Sequence, residues 1–316
     1  MTQPIEITNH TAHETVLLHE AVAALSIKPS GVYVDGTFGR GGHSRKLLSQ
    51  LDEKSKLFVI DKDPSAINVA QILKEQDGRV EIMHGSFSDI KRLISNADLL
   101  GKVDGILLDL GLSSPQIDEG ERGFSFMRKG PLDMRMNNVS GQSAAQWIEQ
   151  VEESELANVI KVYGEERFAK RIARAIVEAR TEQAIVDTEL LADIVAKAIP
   201  KWEKHKHPAT RTFQAIRIYI NQELDDLQKT LDDVLEVLDD KGRLVVISFH
   251  SLEDRIVKTW VKKMAKGDDV PSYIPIQSDQ LNQKVNIVGK AIKASDEEVS
   301  RNPRARSAVM RVAEKR

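Results

Sequence analysis

Short continuous apolar runs alternate with amphipathic stretches through the first third of the chain. The runs are Val32-Tyr33-Val34, Leu57-Phe58-Val59-Ile60, Val80 to Met83 and Val103 to Leu108. Apolar runs of this length, bounded by polar turns, read as strands of a parallel sheet buried on both faces. Between them lie helical patterns. Thr15 to Ala24 is a short amphipathic segment, Ser44 to Leu51 a helix start, and Asp63-Pro64 an N-cap and first-turn pair opening a helix through Leu73. Strand–helix alternation of this kind predicts an α/β fold. The alternation stops near Asp118. From there to Pro208 the pattern predicts helices over Ser143–Val151, Glu153–Tyr163, Glu165–Arg180 and Thr188–Ile199, and no buried strand. It then predicts one long helix from Thr210 to Leu238, with Phe213, Ile216, Ile220, Leu224, Leu227, Leu231 and Val234 on one stripe. A strand from Gly242 to Phe249 follows. Ser251-Leu252-Glu253-Asp254 reads as a capping box opening a helix to Lys263, Gly267 to Asp279 as a loop, and Ala308 to Ala313 as a last strand. The expected organisation is an α/β domain in two parts, 1–117 and 209–316, around an inserted helical domain, 118–208.

The strand ends carry the candidate chemistry, because ligands of open α/β sheets bind beyond the carboxyl ends of the strands. The first strand ends at Asp35, and a turn with Gly36, Gly39, Gly41 and Gly42 leads into a helix. A dinucleotide fingerprint fits poorly, since Ser44 stands where the third glycine belongs. The arrangement Asp35-x-x-x-Gly39-x-Gly41 instead resembles the first motif of class I S-adenosylmethionine-dependent methyltransferases. A carboxylate near the turn suits a ligand carrying an ammonium and a sulfonium, and would repel a diphosphate. Asp61, at the tip of the second strand, stands where ribose hydroxyls are held in such folds; a plain turn opener is the bland alternative. Phe87, just past the third strand, fits an adenine face or simple core.

Composition narrows the classes. The chain has 316 residues, 41% hydrophobic and 29% charged, which suits a globular protein of one large domain or a domain with an insertion. It has no apolar run of membrane-spanning length and no signal-peptide pattern at Met1 to His10. It has no cysteine, which excludes disulfides, thiolate metal sites and a cysteine nucleophile, and fits a cytoplasmic enzyme. The net charge of −3 means that any nucleic-acid contact rests on local basic patches. Arg122, Phe124, Phe126, Arg128, Lys129 and Arg135 form one mixed basic and aromatic group, as single-strand binders have; Lys201, Trp202, Lys204, Lys206 and Arg211 form a second. A solvated helical face with core aromatics remains open for both. His205 and His207 have no carboxylate or thiol partners at metal-ligand spacing, so a basic RNA-facing loop is the better reading and no metal is expected.

Ordered blocks along nearly the whole chain resemble one family. They include His13-Glu14-Thr15-Val16-Leu17-Leu18, Asp35-Gly36-Thr37-Phe38-Gly39-Arg40-Gly41-Gly42-His43-Ser44 and Leu108-Asp109-Leu110-Gly111-Leu112-Ser113-Ser114-Pro115-Gln116. Further along stand Arg122 to Phe126, Pro131 to Met136, Tyr163 to Glu166, His207 to Arg211, Ser248-Phe249-His250-Ser251-Leu252-Glu253-Asp254-Arg255 and Asn302 to Ser307. The sequence resembles the bacterial 16S ribosomal RNA cytosine-N4 methyltransferases that act on the decoding centre. The resemblance implies a Rossmann-like class I methyltransferase domain with an inserted helical domain after the fourth strand. It implies 16S rRNA in the small ribosomal subunit as partner, S-adenosylmethionine as cofactor, and cofactor contacts at Gly41, Gly42, His43, Asp61, Phe87, Asp109 and Gln116. A homodimer stays open.

An exocyclic amine on cytosine is a poor nucleophile, because its lone pair is delocalised into the ring. Acceptors aimed at its protons favour attack and hold the nitrogen in line. Other amino-methyltransferases carry an Asp/Asn/Ser-Pro-Pro-aromatic motif after the fourth strand. Here Ser113-Ser114-Pro115-Gln116 takes that place without the second proline or the aromatic. Asp109 and Ser113 are therefore the expected catalytic residues, although Ser-Ser-Pro also fits a turn that caps local backbone groups. His250 fits a general base, a structural histidine or an RNA contact.

Overall fold

A computed structural model describes residues 15–202, 207–268 and 281–316. His13, Glu14, Lys204, His205, Lys206 and most of the expected loop before Asp279 lie outside them. The α/β part runs α1 (Leu18–Ala24), β1 (Val32–Asp35), α2 (Gly42–Leu48), β2 (Lys56–Asp61), α3 (Pro64–Gln76), β3 (Val80–His84), α4 (Ile90–Ser95), β4 (Val103–Asp109) and α5 (Ser114–Asp118). A helical layer follows: α6 (Ala144–Gln150), α7 (Glu153–Gly164), α8 (Ala169–Glu182), α9 (Thr188–Ala198) and α10 (Thr210–Asn221). The chain returns through α11 (Glu223–Val237), β5 (Leu238–Ser248), α12 (Ser251–Lys266), β6 (Val285–Ile287), β7 (Ile292–Lys293), α13 (Asp296–Arg301) and β8 (Val309–Lys315).

The strands form one sheet in the order β3-β2-β1-β4-β5-β8-β6, with β7 also on β8. The first five strands are parallel; β8 runs antiparallel to β5, β6 and β7. The apolar runs fill the two faces. Tyr33, Leu57 and Leu107 enter one cluster with α1 and α2, while Ile60, Ile106 and Leu108 enter another with α11 and α12. This is the α/β fold expected from the alternation, in the Rossmann-like arrangement that the resemblance implies. Chain order reverses between β1 and β4, so a crevice opens beyond their carboxyl ends.

The structure corrects several boundaries. The expected single helix over Thr210–Leu238 is two, because Gln222 takes a left-handed φ of 53° between α10 and α11. Phe213 and Ile216 of α10 join the core of the helical layer, whereas Leu227, Leu231 and Val234 of α11 pack under the sheet. One apolar stripe thus serves two separate cores, and the helical layer runs on through Asn221, past 208. Helix α8 starts four residues later than expected, at Ala169, after Glu165 adopts a left-handed φ of 49°. Strand β5 begins at Leu238 rather than Gly242, and β6 and β7 add an antiparallel edge that the sequence pattern did not announce.

Candidate active site

The crevice between β1 and β4 is an open cleft of about 1430 Å³, mouth included. The glycine turn forms its floor. Gly39 and Gly41 sit at φ 56° and 73°, in the left-handed region that favours glycine. A Cβ on Gly42 would overlap Thr15 Oγ1, so the close passage of this segment requires glycine too. Asp61 holds the turn from the next strand: its Oδ2 accepts from the Gly39 N–H at 2.8 Å and its Oδ1 from the Asp63 N–H at 2.8 Å. Burial raises its pKa, and those two N–H groups hold the rise back.

Gly42, His43, Asp61, Phe87, Asp109, Ser113 and Gln116 all line this cleft. Gly41 is not among the lining residues; it shapes the floor as the N-cap of α2. Asp35 does not line it either. Its carboxyl is 2% exposed, taking the Ser44 hydroxyl at 2.6 Å and the Thr37 N–H at 3.2 Å. Burial above all, opposed by those hydrogen bonds, pushes its pKa up to about 6. The acid of the strand-tip motif therefore braces the turn from beneath, while Asp61 and Asp109 are among the carboxyls that face the cleft.

Asp109 is the most perturbed acid of the cleft. Burial, followed by the charges of Asp35 and Glu253, holds its pKa well above the usual range. Its backbone N–H donates to Thr37 Oγ1 at 2.6 Å, and its Oδ1 is enclosed without a partner. His43 lies beside it, with Nδ1 3.6 Å from Asp109 Oδ2, longer than a hydrogen bond, and Nε2 3.2 Å from the Val16 carbonyl. Burial lowers the His43 pKa to about 4, so the ring is neutral near pH 7 and donates from Nε2 to Val16.

The Ser113–Gln116 loop crosses over the glycine turn. Gln116 is tied at both amide ends: its Oε1 accepts from the Ser113 N–H at 3.0 Å and its Nε2 donates to Asp63 Oδ2 at 2.8 Å. The same oxygen receives Arg122 Nη1 at 2.9 Å. Arg122, expected on an RNA-facing surface, is instead buried, and its Nη2 donates to the carbonyl of Met136 at 2.8 Å. Its cation is used inside the protein, joining the start of α3 to the segment that leads into the helical layer. Phe124 of the same group is also buried, which is the core-aromatic alternative left open for it. Phe87 opens a short 3₁₀ turn after β3, half in the apolar cluster and half on the cleft.

Sequence reasoning missed the carboxylates on the β5 side, Glu223 and Glu253, which also line the cleft. The capping box that points to Glu253 is set one residue earlier than expected. His250, not Ser251, is the N-cap of α12: its Nδ1 accepts from the Glu253 N–H at 3.4 Å. Glu253 in return accepts the N–H groups of Phe249 and His250 at Oε2, at 2.8 and 3.2 Å. The ring of His250 is thus committed to the cap. Glu223, His250 and Glu253 converge within 4.8 Å, a spacing open to a metal ion. A proton on Nε2, left there by the accepting Nδ1, and the bidentate Arg217–Glu223 pair at 2.8 and 2.9 Å already answer the charge.

On the helical layer, a shallow surface pocket is lined by Phe168, Lys201, Trp202, His207 and Arg211 among others. Trp202 is 58% exposed, and Phe126 stacks on His207 at 4.5 Å.

A family model described as the MraW methylase family matches residues 10–316. The chain belongs to that family. It is the family of 16S ribosomal RNA cytosine-N4 methyltransferases, and the cofactor is S-adenosylmethionine. The cleft fits that cofactor: carboxyls crowd it, including the partnerless Asp109 Oδ1, and a cation relieves their repulsion. Among solved structures, SMU.1697c of Streptococcus mutans, solved with SAH, aligns at TM-score 0.43 and 11% identity over 96% of this chain and 100% of that one. An rRNA methylase of Streptococcus thermophilus aligns at 0.41 and 10%, over 96% and 99%. A SAM-dependent O-methyltransferase of Thermotoga maritima aligns at 0.43 and 11%, over 98% and 69%. At these scores the alignments carry no argument beyond the family match.

Proposed function

We propose that this chain transfers the methyl group of S-adenosylmethionine to the exocyclic N4 of a single cytosine in the decoding region of 16S ribosomal RNA. The observation that carries this reading is that three of the sequence blocks behind the family resemblance meet in the cleft wall: the glycine turn, the segment from Asp109 to Gln116, and the Phe249–Glu253 turn through its two end residues. The cofactor supplies an electrophilic methyl on a sulfonium. Gly41, Gly42, His43, Asp61, Phe87, Asp109 and Gln116 are the residues proposed to hold it, Asp61 through the ribose and Phe87 against the adenine. Asp109 and Ser113 are proposed to stand beside the amine and accept from its N–H groups.

The absence of cysteine supports nitrogen as the target. Methylation at cytosine C5 usually needs a thiolate adduct at C6, and this chain has no thiol. The base must leave its stack to reach a donor at the sheet edge. The helical layer, with Arg171 and Arg174 exposed on α8, is the proposed RNA-recognition surface. No described helix is long and apolar enough to cross a membrane, and the cytoplasm is the compartment proposed for an enzyme with a ribosomal substrate. The test is to treat small subunits with the enzyme, digest the RNA to nucleosides and separate N4-methyl-, C5-methyl- and 2′-O-methylcytidine. N4-methylcytidine is expected; the C5 isomer would falsify the reading.

A further inference from the structure

The Ser248-to-Arg255 block has no assigned role in the reaction, yet it places a buried carboxylate in the cleft wall. Strands β4 and β5 are neighbours with Asp109 opposite Ile247, so the turn after β5 lies next to the Asp109–Gly111 tip. Leu110 N–H donates to the Ile247 carbonyl at 2.9 Å, and a Cβ on Gly111 would sit 3.4 Å from the ring of Phe249. Two residues of β-tip and one turn of helix thus bring Glu253 to the same rim as Asp109.

We infer that Glu253 is the proton acceptor of the methyl transfer, taking the proton that the amine nitrogen sheds. This inference rests on the amine reading above. Glu253 has the oxygen to spare. Its Oε2 is filled by the Phe249 and His250 N–H groups, while Oε1 has only His250 Nε2, 3.2 Å away and poorly aligned, since that nitrogen forms no hydrogen bond. The residue is 2% exposed, so an amine that reaches it finds no competing water.

The titratable and charged groups around it set its state. His250 on its own turn, Arg217 on α10, Glu223 on α11 and Asp109 at the tip of β4 face it. Burial pushes its pKa up, but the contact with His250, the Arg217 charge and the Phe249 N–H together hold it below the usual carboxylate value. Asp109 is pushed the other way, partly by Glu253 itself. One rim therefore carries two carboxyls shifted in opposite directions, Glu253 toward its ionised form and Asp109 toward its protonated form, the division that separates base from non-base in acid–base sites. In the step, the nitrogen lone pair forms a bond to the methyl carbon and the carbon–sulfur pair stays on sulfur. The nitrogen is left as a strongly acidic ammonium, and its N–H pair returns to nitrogen as the proton passes to Glu253 Oε1. A weak base suffices for so acidic a donor. Its negative charge also favours the transition state, in which positive charge builds on nitrogen.

Glu253→Gln keeps the shape and an oxygen for the cap but removes the base. With small subunits as substrate, kcat should fall on the order of a hundredfold or more. The KM for subunits, calorimetric affinity for S-adenosylhomocysteine and the melting midpoint should stay put, and the acidic limb of the wild-type kcat–pH profile should vanish. Full kcat in Glu253→Gln overturns the proposal. Should that variant melt early, His250→Asn decides. It keeps a capping side chain and removes a group that holds the Glu253 pKa down, so the acidic limb should move to higher pH; an unmoved limb overturns the proposal. Product analysis separates the two readings. If wild type makes no N4-methylcytidine, the amine assignment falls; if it does and Glu253→Gln keeps pace, only the proton acceptor falls.

Discussion

The cleft and the helical layer use charge in opposite ways. Around the cleft, ionisable groups are buried and bound to backbone: Asp35 by Thr37, Asp61 by Gly39 and Asp63, Glu253 by Phe249 and His250. In the helical layer the interior is apolar, built from residues such as Leu156, Ile172 and Leu191. Many of its cations lie outside, as Arg174 does in an exposed pair with Glu178, while Arg217 turns inward to Glu223. Buried, hydrogen-bonded carboxyls fix a geometry and shift pKa values; exposed cations cost little to hold and create a field for an anionic partner. The comparison fits the proposed division of labour, in which one region positions a small ligand and the other meets an anionic partner. Arg122 joins them, with one face on Asp63 and the other on the Met136 carbonyl.

The most severe way to break the comparison is to cut that joint. Arg122→Met leaves Asp63 buried with Gln116 and Ser65 but without its cation. Stranding one partner of a buried pair costs about 3–5 kcal/mol. Urea unfolding should show a loss of that size, and a loss below about 1 kcal/mol would mean that Asp63 is satisfied by its neutral partners alone.

Asp61→Ala acts on the cleft only. Removing hydrogen bonds to a charged acceptor should weaken S-adenosylmethionine binding by about 1.5–3 kcal/mol and leave the helical layer intact. Titration calorimetry with unchanged affinity would remove Asp61 from the cofactor site.

How much of this was legible is decided by range. The glycine turn, Asp61, Asp109 and the β1–β4 pattern were legible because strand, tip and turn are set within a few neighbouring residues. The break at Gln222 was not, because Phe213 and Leu231 satisfy one helical period while packing into different cores. Arg122 looked like a surface cation because nothing near it in sequence announces Asp63, brought to it by tertiary packing. Glu253 was hidden by its cap: Ser251 is the better capping residue on propensity, and His250 takes the place. The edge strands β6 and β7 are too short for periodicity to register.

Acidity sharpens the contrast further. Asp35 rises from 3.8 to about 6 on folding, and Asp109 rises well above its ordinary value. The folded state holds the Asp35 proton more tightly than the unfolded chain. The stability tied to this group is therefore full below about pH 4 and falls as pH climbs through about 6. A cationic ligand binds best once Asp35, beneath the glycine turn, is ionised. The affinity for S-adenosylmethionine relative to S-adenosylhomocysteine, which lacks the sulfonium, should rise on the order of tenfold between about pH 5 and pH 7. A flat ratio would mean that this acid does not sense the sulfonium.

The helical layer should show none of this. Reversing Arg171 and Arg174 to Glu should lower affinity for small-subunit RNA several-fold, with a shallower salt dependence, and leave cofactor affinity unchanged. Methylation at full rate at raised salt would reduce these arginines to a solvated face.

The mildest test concerns the junction where α10 of the helical layer hands over to α11 of the sheet. Gln222 is exposed there at φ 53°, and the backbone continues through it: its N–H donates to the Tyr219 carbonyl and its carbonyl accepts from Asp226. A left-handed non-glycine residue costs about 1–2 kcal/mol, and glycine gives back part of that in unfolded-state entropy. Gln222→Gly should therefore stabilise the fold by roughly 0.5–1 kcal/mol, while Gln222→Val, β-branched at the same φ, should destabilise it. Denaturant midpoints measure both. If glycine lowers the midpoint, the Gln222 side chain holds the junction. The two regions would then be joined by contact as well as by backbone geometry.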